Sequence, residues 1–337
     1  MDGQVRLSGA ALELPGGVTV RFMRTLRLPE HGTHPLPPGL GTFPLRKVAD
    51  YPGRAPSRWL ERGGVLLPVY QREAMWLGFS SPVPAALQVG VGKVCAVSGR
   101  PWSDRLSRDP QNYVVLPRQP WLDGINSGAG TIRQFVAVPL GLGATVEGQV
   151  SGAEVWGGVQ LQVFELRREA LDRWRAARRR QAAARGNWAD TGAGSAPGGA
   201  PLPMSTLGPP APAAPAMGLG AGGRMRQEVF RDERPATDWR QEPSGRVFVH
   251  LATAPQWRAV TGEPAPASPV DRAAYNSAGL PWFDYYDADG DDLAAAPPLT
   301  GVRPVGDWLG DDEQGWVPPQ QVQPLGDDPG RVTDGEW

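Results

Sequence analysis

The stretch that decides the fold runs from Gln119 to Leu166, QPWLDGINSGAGTIRQFVAVPLGLGATVEGQVSGAEVWGGVQLQVFEL. Three short β-type runs, IRQFVAVPL, TVEGQV and VQLQVFEL, alternate in it with Gly-rich turns. Alternation at a period of two gives each run one apolar face. Runs this short, separated by Gly, Pro and Asn signals, are the signature of an antiparallel sandwich or barrel. The same punctuation reaches back to the N-terminus. Residues 4–28 read as strand, turn at Pro15-Gly16-Gly17, and strand, with Val18, Val20 and Phe22 on one face. Further strand-like runs stand at 65–70, 74–79, 86–97, 113–116, 132–139, 145–150 and 159–166. The expectation is a mainly β protein with an antiparallel β-sandwich-like domain over residues 1–166.

Beyond Leu166 the character of the chain changes. Residues 167–189 predict a basic helix, free of Gly and Pro up to Gly186, with eight arginines against Glu169 and Asp172. Residues 190–223 are low-complexity Pro/Ala/Gly and predict a disordered linker, because they hold too little apolar surface to offset the entropy of ordering. Residues 224–305 predict a small α+β C-terminal region. Its strand-like GRVFVHLAT (245–253) suits docking on the first domain and extending its sheet, and a short helix is expected over 269–278. Residues 306–337 read as an acidic tail.

Composition narrows the function more than it defines it. The 337 residues include 44 Gly and 37 Pro, which favour many turns over long helices. A net charge of -1 predicts no overall attraction to nucleic acid or to anionic lipid. Only Lys47 and Lys93 are lysines, a sign of GC-rich codon usage that lowers the functional weight of the arginine runs. A single cysteine, Cys95, excludes a disulfide framework and CxxC metal knuckles. No apolar run approaches the ~20 residues that cross a bilayer, and the N-terminus lacks a signal-peptide pattern. A soluble cytoplasmic protein without membrane insertion is the expectation.

Several constellations remain as candidates. Asp123 and Glu147, with Arg133, form a buried polar cluster if their segments are neighbours, and two carboxylates with split pKa values would serve acid–base chemistry. A buried ion pair equally serves as a specificity device. Thirteen tryptophans outnumber tyrosine and phenylalanine; Trp121 and Trp282, the latter close to Asp284, lie in turn-like contexts that suit ligand stacking. Asp287, Asp289, Asp291 and Asp292 surround Gly290 in an acidic turn that suits calcium, although the EF-hand spacing fails because Tyr285 and Ala296 fall on ligand positions. Calcium is the one cofactor left open. Arg175, Arg178, Arg179 and Arg180 offer phosphate contacts along the basic helix, but aromatic interleaving is sparse and the acidic tail is a competing partner. His31 and His34 lack a third zinc ligand nearby. GLGAGG at 218–223 follows no strand–turn–helix pattern, so dinucleotide binding is rejected, and no P-loop, nucleophile elbow or HExxH is present.

The motifs RTLRLP, LPPGLGTFP, GGVLLPVYQREAMW, GKVCAVSG, QPWLDGI, IRQFVAVPLG, TVEGQ, GGVQ, GLGAGGRMRQ, RVFVHLATAPQWRAVTGE and AGLPWFDYYD resemble a conserved uncharacterised family of bacteria and fungi. Members often carry an "integral membrane protein" label that the composition here contradicts. The resemblance spans about residues 18–305 and implies one protein unit, with no activity to carry over. The sequence therefore reads as a non-enzymatic binding or structural protein that acts through protein–protein contacts or self-association. The alternative is a carboxylate-dependent hydrolase or carbohydrate-binding β-sandwich built on Asp123, Glu147 and Trp121. Nucleic-acid binding through the arginine helix is the third reading.

Overall fold

Two β-sheets face each other in the computed structural model, which describes residues 4–28, 32–37, 39–128, 130–185, 216–266, 296–303, 305 and 334–337. The first sheet is built from β1 (Arg6–Ser8), β2 (Ala11–Leu14), β3 (Val18–Thr25), β4 (Thr33–His34), β7 (Ala74–Ser80), β13 (Thr131–Pro139) and β15 (Met217–Arg226). Its order is β1-β2-β3-β7-β13-β15-β4, with β11 (Trp121–Leu122) beside β7 and β12 (Gly124–Gly128) beside β13. The second sheet has the order β10-β8-β14-β16-β6-β5, with β9 (Val94–Cys95) paired to β8. These strands are β5 (Arg46–Lys47), β6 (Val65–Val69), β8 (Ala85–Val91), β10 (Val114–Leu116), β14 (Val159–Glu165) and β16 (Gly245–Thr253). Pairing is antiparallel except for β15 with β4 and β16 with β6.

One core lies between the sheets. Val20 and Phe22 of β3, Leu77 of β7 and Phe135 of β13 meet Leu87 and Val89 of β8, Leu161 and Val163 of β14, and Val247 and Val249 of β16. The alternating apolar positions predicted these faces, and the mainly β, sandwich-like class is what the chain forms. Burying such a face removes apolar area from water at about 25 cal/mol per Å2, the dominant favourable term in a β protein of this size.

Strands from both sides of residue 166 share the sheets. β15 lies between β13 and β4, and β16 sits between β14 and β6 in the middle of the second sheet, more central than a docked edge. The last seven residues of the expected linker, 217–223, are part of β15. Their glycines have a packing reason. A Cβ on Gly220 would crowd Val305 and the Ala144 carbonyl, and one on Gly222 would crowd Val136 and Gln134. The rest of that linker, the helix expected over 269–278 and most of the acidic tail lie outside the described residues.

Two other expectations change. The run at 86–97 is broken at Gly92-Lys93, both at positive φ, which makes it the β8–β9 hairpin with a two-residue turn. TVEGQV is not a strand but α2 (Val146–Ser151). The Thr145 hydroxyl accepts from the Gly148 amide as an N-cap, and Gly152 ends the helix in the left-handed region. Other helices are α1 (Ser57–Arg62), α3 (Arg168–Arg185), α4 (Ala254–Thr261) and α5 (Pro297–Thr300). No described helix is long and apolar enough to cross a membrane.

Candidate functional site

The expected carboxylate pair does not assemble around shared partners. Asp123 lies buried between β11 and β12 at 1% exposure. Its Oδ2 accepts from Gln227 Nε2 and its amide donates to Gln227 Oε1 at 3.0 Å, with the Trp121 side chain beside the carboxyl. Burial pushes its pKa well above the ordinary carboxylate range, against the pull of those two side chains. Among the described residues no salt bridge balances it, which adds to the preference for the neutral acid. Gln119 stitches the same segments together: its Nε2 donates to the Trp121 and Glu228 carbonyls, both at 3.1 Å. Trp121 itself is half-buried against the core rather than presented to solvent.

Glu147 sits on α2, not on a strand, at 3% exposure. Oε1 accepts from the amides of Val155 and Trp156 and Oε2 from that of Gly157, each at 2.9 Å. Glu154 answers from the opposite loop: its carboxylate takes the amides of Gly141, Gly143 and Thr145 and the Thr145 hydroxyl. Burial works to raise the Glu154 pKa, but these four donors outweigh it and hold the pKa below the usual value. The two glutamates thus clamp each other's loops, with their oxygens spent on main-chain amides and the Thr145 hydroxyl. Arg133 stands on β13 across from Ile125 and Arg224, half-exposed.

Asp123 yields a stability prediction of definite sign. Because its pKa is higher folded than unfolded, the folded state retains a proton that the unfolded chain releases above about pH 4. Stability from this group is therefore full at low pH and declines as pH rises. Asp123→Asn is expected to be more stable than the parent at pH 7, by about 1.4 kcal/mol for each pH unit over which the two states differ. Urea midpoints at pH 4 and pH 7 check this; a variant that loses ground as pH rises contradicts it.

The basic helix is present as expected, and α3 is anchored at its start. Ala170, Leu171 and Trp174 pack with Phe164, Tyr113 and Trp239, and Arg173 pairs with Asp238 at 2.5 Å. Arg175, Arg178, Arg179 and Arg180 are exposed; Arg175 stands 3.9 Å from Asp172, and Arg178 lies over the Trp174 ring. Trp282, Asp284, Asp287, Asp289, Asp291 and Asp292 lie outside the described residues. Among the described residues, no group of three or more His, Cys, Asp or Glu could hold a metal.

A site that the sequence reading missed opens beside the root of α3. A cavity of about 390 Å3 is lined by Arg105, Arg108, Arg167 and Arg240 around Tyr113 and Trp239. Its floor is fixed by a buried carboxylate. Asp232 Oδ2 accepts from the Tyr113 hydroxyl at 2.6 Å and from Trp239 Nε1 at 2.7 Å, while Oδ1 takes the Arg234 amide at 3.0 Å. Gln111 links the Asp232 amide to the Tyr113 and Phe230 carbonyls. Burial first, and then the Asp232 carboxylate, push the Tyr113 pKa upward, so the phenol stays a neutral donor.

The rim contrasts with the other arginines. Arg24, Arg46, Arg118, Arg173 and Arg246 each have a carboxylate partner. Among the described residues, none of the four rim arginines is in an ion pair. Arg108 donates to the Asp232 carbonyl and Arg167 Nε to the Trp239 carbonyl at 3.1 Å, bonds that orient each side chain without neutralising it. Planar forks held in this way suit bidentate recognition of phosphate or carboxylate. No protein-family model, curated protein or solved structure matches the chain.

Proposed function

We propose that this is a non-enzymatic binding protein whose ligand is a small polyanion of the phosphate class, taken by the arginine-rimmed cavity. The observation that carries this reading is the set of four arginines around one cavity, none of them in an ion pair among the described residues, with no carboxylate in the lining. Its volume falls in the range typical of small-molecule sites, roughly 300–1,000 Å3. The hydrogen-bonded floor supports the reading because a rigid base under charged arms reduces the ordering cost of binding. Tyr113 and Trp239 add apolar surface for a ring or hydrocarbon beneath the anionic groups. The exposed arginines of α3, rooted in the cavity wall through Arg173 and Asp238, extend the positive field and steer anions toward it.

Calorimetric titration with inorganic pyrophosphate tests the proposal. One saturable site is expected, with affinity falling as salt rises, because the contacts are ionic. Arg105→Gln/Arg240→Gln is expected to weaken binding about a hundredfold with an unchanged melting temperature, two charge-assisted contacts being removed at about 1.5 kcal/mol each. Equal affinity in parent and variant, or no saturable heat, overturns it.

A further inference from the structure

We propose that the groove between the end of α1, β16 and the β8–β9 turn is a docking site for an Asp-Gly-x-Trp peptide, filled by residues 334–337 of the same chain as an exchangeable latch. Each tail residue has a distinct seat. Asp334 bridges antiparallel to Gly63, and its Oδ2 pairs with Arg246 Nε at 2.6 Å. Gly335 lies so close to the end of α1 that an added Cβ would overlap the Glu61 and Arg62 carbonyl groups. The Glu336 amide donates to the Glu61 carbonyl at 3.1 Å, while its side chain is exposed and unread. Trp337 Nε1 donates to Asp334 Oδ1 at 2.8 Å, which fixes the ring over the groove.

That ring completes a cage. Its neighbours are Phe248, edge-on at 5.7 Å, and Trp102 at 6.1 Å, with Lys93 Nζ 5.1 Å and the Arg246 guanidinium 5.0 Å from its centre. Lys93 also lies over Trp156, as does Arg62. Without the tail, Arg246 loses its carboxylate and three cations face a row of aromatic rings. Such a surface is complementary to an acidic peptide that carries an aromatic side chain. Burial first, with Arg246 and Arg62 nearby, depresses the Lys93 pKa against the opposite pull of Asp104. Main-chain bonds hold the peptide and side-chain pockets read it, the usual division in peptide recognition.

Four residues make a small interface, so the latch depends on tethering. Belonging to the same chain raises the effective concentration of this segment, which holds a weak contact closed while leaving it open to competition. This rests on different residues from the anion cavity and stands or falls separately.

The test uses full-length protein and a fluorescent peptide of residues 331–337, RVTDGEW, followed by anisotropy. Trp337→Ala is expected to vacate the groove and bind this peptide at least about tenfold more tightly than the parent, whose own tail competes. A peptide with alanine at the Gly335 position is expected not to bind. Asp334→Arg, which sets like charges against Arg246 while keeping the ring, is expected to open the groove in the same way and provides a second route if the first variant folds poorly. The proposal is overturned if a folded variant ignores the peptide up to about 1 mM, or if the alanine peptide binds equally. It is also overturned if the parent is a dimer that Trp337→Ala dissociates, since the tail then crosses between copies.

Discussion

Arg24→Ala is expected to lower the unfolding free energy by about 3–5 kcal/mol, the usual consequence of removing one partner from a buried ion pair. Arg24 leaves β3 and Glu73 immediately precedes β7, with side chains only 8% and 1% exposed. Arg24 Nε donates to Glu73 Oε1 at 2.7 Å, the guanidinium lies over the Phe43 ring, and the Tyr70 amide donates to Oε2 at 3.0 Å. Even so paired, Glu73 has a raised pKa, because burial outweighs the attraction of Arg24. Losing Arg24 leaves that carboxyl stranded. Replacing both residues with apolar side chains of similar size, Arg24→Met/Glu73→Leu, is expected to cost far less, since neither charge is then left behind. Urea denaturation of the two single variants and the double variant decides the point. A single-variant loss below 1 kcal/mol would show that water reaches the pair.

His250 gives the second large effect, and it depends on pH. The ring is buried in the central strand β16, stacked on Trp59 at 4.9 Å and beside Phe248, with Nε2 2.9 Å from the Gly63 carbonyl. A carbonyl only accepts, so Nε2 carries the proton of a neutral imidazole. Burial, with smaller contributions from Arg62 and Arg58, lowers its pKa from 6.5 to about 3 despite the bond to Gly63. Unfolding below pH 6.5 therefore takes up a proton, and the stability from this group, whole above that pH, is lost as pH falls toward 3. The slope is about 1.4 kcal/mol per pH unit, on the order of 5 kcal/mol over the window. His250→Gln keeps a donor for Gly63 without titrating, and is expected to flatten the fall between pH 6 and 4. Equal pH slopes in parent and variant would contradict the neutral buried assignment.

The sequence carried the sandwich better than the site. Period-two alternation marked β3 because that strand buries one face in the core, whereas β13 and β14 are buried on both faces and were legible as short β-type runs between Gly-rich turns. The central place of β16 was hidden, since its pairing with β6 is parallel and joins residues more than 180 positions apart. TVEGQV has alternation short enough to suit a strand, and the cap at Thr145 with the stop at Gly152 decided for helix. Gly218, Gly220 and Gly222 looked like linker composition, but they let a second layer lie flush on β15. Asp123 and Glu147 stood out in the sequence as candidate acid–base residues; in the fold each is held in its own local network. The cavity was invisible for another reason. Its arginines come from three segments, around 105–108, 167 and 240, and each is an ordinary residue until the fold gathers them.

Native mass spectrometry of the protein, purified at low salt from cells that make it, tests the binding claim most directly. A bound phosphate-bearing small molecule is predicted for the parent chain, absent when Arg105→Gln/Arg240→Gln is prepared in the same way. The same adduct on parent and double variant would place the ligand elsewhere and contradict the arginine-rimmed cavity as its site. A bare parent chain that also fails to take up added pyrophosphate would contradict the ligand class itself.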